Sequence, residues 1–157
     1  MRLERNIAKQ LIAQGKTLAA AESCTGGLLT HLLTNIPGSS AFLMAAIVSY
    51  SNQSKTDILK VPVSSIRKNG AVSAPVAKLM SRNVQKLFNT DFAVAITGIA
   101  GPTGATPQKP VGTVFIAACD RNRLICEHHI FKGSRLQIKK QAADRALELL
   151  LKFLMTS

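Results

Sequence analysis

The sequence predicts a single α/β domain, and three observations lead to it. The chain has 157 residues, the size of one domain and too short for two of ordinary length. Hydrophobic residues make up 46% of it, enough to build a core and incompatible with wholesale disorder. Short apolar runs of strand character alternate with stretches whose apolar residues recur at helical spacing.

Each element has its own signal. In residues 4–14, Ile7, Leu11 and Ile12 share a helical face, and Gly15 supplies a C-terminal stop. Residues 16–21 form a short strand that runs into the small polar cluster 22–27, and residues 28–34 form a helix with Leu28, Leu29, Leu32 and Leu33 inward. After a turn at 35–40, residues 42–50 are expected as a buried strand or strand pair, rich in Ile, Val and Ala. A helix begins within 51–59, Pro62 interrupts the chain, and 63–68 make a helical turn that stops at Asn69-Gly70. Ser73 caps a helix over 74–87, with Pro75 in its first turn. Residues 91–97 form a buried strand, and a long loop continues to Pro110. Residues 111–119 and 123–131 pair as a hairpin through Asp120-Arg-Asn122, and 135–155 form a last helix with Ile138, Ala142, Leu147, Leu150, Leu151 and Leu154 on its apolar face.

Composition excludes several function classes. The longest apolar stretches, 42–48 and 147–151, are far shorter than the roughly 20 residues of a membrane span. The N-terminus leads into a helical pattern and lacks the apolar core of a signal peptide, so a cytoplasmic location is expected. Cys24, Cys119 and Cys126 are an odd number without a CxxC pair, which supports neither a disulfide framework nor a metal site. Cys119 and Cys126 lie in strand-like surroundings and are expected to be buried and inert. The net charge of +12 suits an anionic small molecule, nucleic acid or a plain basic surface. Nucleic acid is not the expected partner: Tyr50 is the only tyrosine, the six Phe sit mostly in apolar runs, and no RNP, KH or zinc-finger pattern occurs.

Polar and glycine-rich residues concentrate in 22–27, 50–55 and 97–104, each after a predicted strand. Ligands of open α/β sheets bind at the carboxyl ends of strands, so these loops can share one site. Ser23 precedes a helix start, and the N–H groups from Thr25 to Gly27 read either as a plain capping cluster or as a cradle for an anion. A serine needs a base to become a nucleophile. His31 is expected to face solvent, and His128 and His129 point to opposite faces of an outer strand, so a Ser-His-Asp triad has little support. No Lys or Arg lies between Lys16 and Lys55. Lys55 therefore ends a long, nearly uncharged stretch, and it is either an ordinary solvated lysine or one whose burial frees a neutral amine. Gly98, Gly101 and Gly104 let backbone approach a ligand closely or simply make a turn.

Six segments in order carry a resemblance: Ala21-Glu-Ser-Cys-Thr-Gly-Gly27, Pro37-Gly-Ser-Ser40, Tyr50-Ser-Asn52 with Lys55, Gly70-Ala-Val-Ser73, Thr97-Gly-Ile-Ala-Gly-Pro102 and Lys109-Pro-Val-Gly-Thr-Val114. The chain resembles the CinA C-terminal domain family, whose members include nicotinamide-nucleotide amidases. That resemblance implies a single domain over 1–157, a three-layer α/β/α sandwich with a mixed sheet, and a homodimer. It also implies hydrolysis of nicotinamide mononucleotide to nicotinate mononucleotide and ammonia in pyridine-nucleotide salvage, without metal or other cofactor. The roles implied are a Ser23/Lys55 dyad assisted by Tyr50 and Thr97, with Thr25, Gly26, Gly27, Asn52, Gly98, Gly101 and Arg135 around the substrate. A non-catalytic nucleotide-binding relative and a competence or damage-response factor are the alternatives. Two departures stand out: Lys139 occupies a position where the family often has a second arginine, and the loop after Pro102 is poorer in glycine. The amino-terminal domain of longer members has no counterpart, so its activities are not expected.

Overall fold

The computed structural model describes residues 2–156, so Met1 and Ser157, the two ends of the expected 1–157 domain, lie outside it. In chain order the elements are α1 (Arg2–Ala13), β1 (Leu18–Glu22), α2 (Leu28–Thr34), a 3-10 turn (Ser39–Ala41), β2 (Leu43–Val48), α3 (Asn52–Asp57), α4 (Val63–Asn69), α5 (Ala74–Phe88), β3 (Phe92–Gly98), β4 (Thr113–Cys119), β5 (Leu124–Ile130) and α6 (Arg135–Met155). The five strands form one mixed sheet in the order β2-β1-β3-β4-β5. β1 runs parallel to β2 and β3, and β4 is antiparallel to both β3 and β5.

The side-chain alternation of the strands splits the core into two layers of contacts. Leu18, Ala20, Phe92, Val94, Ile96, Val114, Ile116 and Ala118 face one side, where they meet Ile7 and Leu11 of α1, Leu29 and Leu33 of α2, and the apolar stripe of α6. Ala19, Ala21, Ala93, Ala95 and Cys119 face the other, against Val76, Met80 and Val84 of α5 and against Leu59 and Val61. The alanines on that second face let α5 lie close to the sheet, which buries β1 and β3 from both sides. The result is an α/β/α sandwich.

Three expectations change. Residues 42–50 yield a single strand, β2, and it is a half-exposed edge and not a buried strand: Met44 and Val48 are 45% and 47% exposed on this outermost strand, which pairs only with β1 among the described residues. Cys119 is buried, whereas Cys126 is only half-buried because β5 is the opposite edge. The first strand starts at Leu18 and not at Lys16, since Lys16 is drawn into an ion pair with Asp91 at 3.0 Å.

The topology brings the chemistry to one edge of the sheet. β1, β2, β3 and β5 all end there, so the segments after Glu22, Val48, Gly98 and Ile130 converge. The last of these leads through Ser134, which caps α6 in a capping box with Gln137 and sets Arg135 at the helix start.

Candidate active site

Ser23 follows the last residue of β1, and its N–H donates to the Ile96 carbonyl at 3.0 Å, which continues the sheet register by one residue. Ser49 does the same on the other side, donating to the Glu22 carbonyl at 2.8 Å. Ser23, Ser49 and Thr97 thus occupy one row across three strand ends. Lys55 lies in the last turn of α3, whose start is fixed by Ser51 accepting from the Ser54 N–H. Its side chain runs back under the strand ends and is 1% exposed.

The Lys55 Nζ is 3.0 Å from the Ser23 Oγ, 2.7 Å from the Ser49 carbonyl and 3.3 Å from the Tyr50 carbonyl. Burial strips water from the ammonium form and lowers the lysine pKa to about 8, while Cys24 beside it acts in the opposite direction. The arrangement serves both protonation states. As an ammonium, Lys55 donates to all three oxygens; once neutral, it can keep its two hydrogens on the carbonyls and turn its lone pair to the serine hydroxyl. Cys24 itself is pushed up to about 11 by burial, so the thiol beside Ser23 stays protonated and unreactive at neutral pH.

A cleft of about 320 Å³ opens over this pair, and Ser23, Tyr50, Asn52, Lys55, Thr97, Gly98, Gly101 and Arg135 all line it. The Tyr50 side chain is 58% exposed and does not reach Lys55. Its hydroxyl accepts from Arg135 Nη2 at 2.6 Å, while Nη1 of Arg135 donates to the Gly101 carbonyl at 2.7 Å. Tyr50 therefore positions the guanidinium, and only its main chain touches the lysine. The Thr97 hydroxyl donates to the Ala71 carbonyl at 2.9 Å, which ties the 70–73 segment over the cleft as a wall.

Thr25, Gly26 and Gly27 are not among the residues lining the cleft. They border a separate depression with His31, Leu136 and Lys139. Arg135 and Lys139, one turn apart on α6, hence serve different hollows. The Gly26 and Gly27 N–H groups are already engaged, by the Ser23 carbonyl at 3.0 Å and by Glu22 Oε2 at 3.0 Å. The two glycines have φ of 61° and 96°, a left-handed turn that lets the chain reverse from Ser23 into α2. Of the two residues directly after the serine, Cys24 lines the cleft, whereas Thr25 is buried and does not.

His31 is exposed and bonded to Asn35, and His128 and His129 stack on Phe115 and Phe131. None of the three lines the cleft. Among the described residues no three His, Cys, Asp or Glu side chains group to hold a metal ion, and no helix is long and apolar enough to cross a membrane. The sequence did not mark Glu22 and Ser49 as parts of the site. For Glu22 a signal was present, since it is the only acidic residue between Lys16 and Lys55 and stands directly before Ser23.

A serine hydroxyl against a buried lysine amine, at the carboxyl ends of parallel strands in an α/β/α sandwich, defines the class of domain. The chain belongs to the CinA C-terminal domain family, which it matches over residues 1–154. It is 50% identical over 97% of its length to a CinA-like protein of Syntrophus aciditrophicus and 44% identical over 98% to one from Thermotoga neapolitana. It spans 36% and 37% of those two relatives. Among solved structures, a CinA superfamily protein from Klebsiella pneumoniae superimposes with a TM-score of 0.95 at 33% identity, covering 99% of this chain and 98% of that one. The competence/damage inducible protein CihA from Agrobacterium tumefaciens gives 0.94 at 37%, covering 96% and 93%.

Proposed function

We propose that this domain is an amidohydrolase that cleaves the carboxamide of nicotinamide mononucleotide, giving nicotinate mononucleotide and ammonia. The observation that carries the reading is the 3.0 Å contact between Ser23 Oγ and the buried, low-pKa amine of Lys55. A surface lysine at its ordinary pKa would be almost wholly protonated at pH 7 and useless as a base. Family membership and the Arg135 guanidinium at the cleft rim support a substrate that carries a phosphate.

Neutral Lys55 takes the Ser23 proton as Oγ bonds to the carboxamide carbon, and negative charge moves to the carbonyl oxygen. The donor assigned to that oxygen is the Cys24 N–H, directly after the serine on the cleft wall. The tetrahedral adduct collapses, the C–N bond breaks, and protonated Lys55 returns its proton to the leaving nitrogen, which departs as ammonia. Water then attacks the acyl-serine, gives a proton to Lys55, and expels Ser23 Oγ, which takes that proton back as the carboxylate leaves. Arg135, held by Tyr50 and Gly101, anchors the phosphate at the rim.

The test is ammonia release from nicotinamide mononucleotide by wild type, Ser23→Ala and Lys55→Ala. Turnover by the wild type alone is expected. No wild-type turnover removes this substrate, and an active Ser23→Ala variant removes the dyad.

A further inference from the structure

Glu22 is a buried carboxylate that the proposed chemistry leaves unused. It is 0% exposed, at the end of β1 and one residue before the nucleophile. Its Oε2 accepts from the N–H groups of Gly27 and Leu29 at 3.0 and 3.1 Å. Its Oε1 accepts from the N–H of Thr30 at 2.8 Å and from the Thr30 hydroxyl at 2.5 Å. Four donors converge on two oxygens, which uses the acceptor-only chemistry of a carboxylate to the full.

Those backbone donors are the amides at the start of α2, the groups that would otherwise attract an external anion. A glycine pair ahead of a helix looks like a phosphate cradle, yet here the anion comes from the protein itself. Two consequences follow. The substrate's phosphate gains nothing from the α2 start, so Arg135 is left as its anchor. The clamp also closes the Ser23–Gly26 turn against the strand, because β1 and α2 are joined through one side chain on either side of the serine. Cys24, the next residue of that turn, lines the cleft beside the position of the reacting carbonyl.

We infer that Glu22 is a positioning residue: its carboxylate locks the turn that carries Ser23, and thereby holds the Ser23 hydroxyl on the Lys55 amine and the Cys24 N–H toward the developing oxyanion. This rests on the dyad reading given above. A glutamine at this position has one acceptor oxygen and one N–H₂, so one pair of the four donors would meet another donor. The turn would shift, and a displacement on the order of 1 Å costs about 100-fold in rate.

The experiment compares wild type, Glu22→Gln and Thr30→Val at a temperature where circular dichroism shows each fully folded. Two rates are measured: kcat and KM for nicotinamide mononucleotide, and the rate of Ser23 labelling by a fluorophosphonate probe, read by mass spectrometry. For Glu22→Gln, kcat and labelling are expected to fall about 100-fold, with KM within about twofold and the pH midpoint of kcat/KM unchanged. Thr30→Val removes one of the four donors and keeps the charge, so a loss of about fivefold is expected, again in kcat. Full kcat and labelling in a folded Glu22→Gln overturn the inference, since a merely structural clamp would lower only the folded fraction. If Glu22→Gln does not fold, Thr30→Val decides, and unchanged rates there overturn it. A wild type that labels at Ser23 but releases no ammonia discards the substrate reading, while the labelling rates still decide the role of Glu22. A wild type that does neither removes the dyad and this inference with it.

Discussion

The rate of the proposed reaction should follow the neutral fraction of Lys55. Burial holds this amine at about 8, against 10.5 for an ordinary lysine. At pH 7 about 9% of it is neutral, compared with about 0.03% of an unshifted lysine. Burial therefore raises the base-ready population about 300-fold at neutral pH. Since losing a proton activates this group, kcat/KM rises with pH. The slope approaches tenfold per pH unit below about pH 7, and the profile levels above about pH 9. The assay is the initial rate of ammonia release between pH 6.5 and 10, a window above the second phosphate ionisation near about 6. Lys55→Arg keeps the cation and removes the base, so its rate should be about 1,000-fold lower or less across the window. A profile centred near 10.5 would show an unshifted lysine, and a flat profile in the wild type would exclude neutral Lys55 as the base. It would mean that Lys55 serves only as a fixed hydrogen-bond donor.

The same shift has a stability signature. The folded pKa of about 8 lies below the unfolded 10.5, so between these values the unfolded chain binds the extra proton. Wild-type stability therefore gains about 3 kcal/mol, relative to Lys55→Met, as pH rises from 8 to 10.5. Parallel urea midpoints in the two proteins across that range would contradict the burial of the amine. Arg135→Ala should raise KM for the mononucleotide about 10- to 100-fold and leave the unphosphorylated nucleoside unaffected. Tyr50→Phe frees Arg135 Nη2 and should raise KM a few-fold at constant kcat, whereas a fall in kcat alone would place Tyr50 on Lys55 instead. Gly112 has φ of 91°, and a Cβ there would sit 1.9 Å from the Phe131 carbonyl oxygen. Gly112→Ala should cost about 3 kcal/mol or more, seen as a lowered Tm, and an unchanged Tm would contradict the β4–β5 register.

Local chemistry was legible along the chain. Helical periodicity located α1, α5 and α6 to within a few residues, and Ser73 and Ser134 sit at helix starts because a serine side chain satisfies the exposed amides there. The long gap in basic residues before Lys55 marked core only in part: residues 18–25 are buried, but 28–54 are mostly half-buried or exposed, with Lys55 itself buried at the end. The rest depended on how the elements pack. Whether residues 42–50 were covered on both sides depended on which strand ended up at the edge, a question of sheet order that period-2 patterning does not encode. Whether Lys55 was a solvated lysine or a base depended on a contact 32 positions away, between α3 and the end of β1. The Gly26-Gly27 pair reads equally well as an anion cradle and as a capped turn until the fold shows the Glu22 carboxylate on those amides. Site chemistry here is set by which groups share a low-dielectric space, and that is a property of packing and not of spacing along the chain.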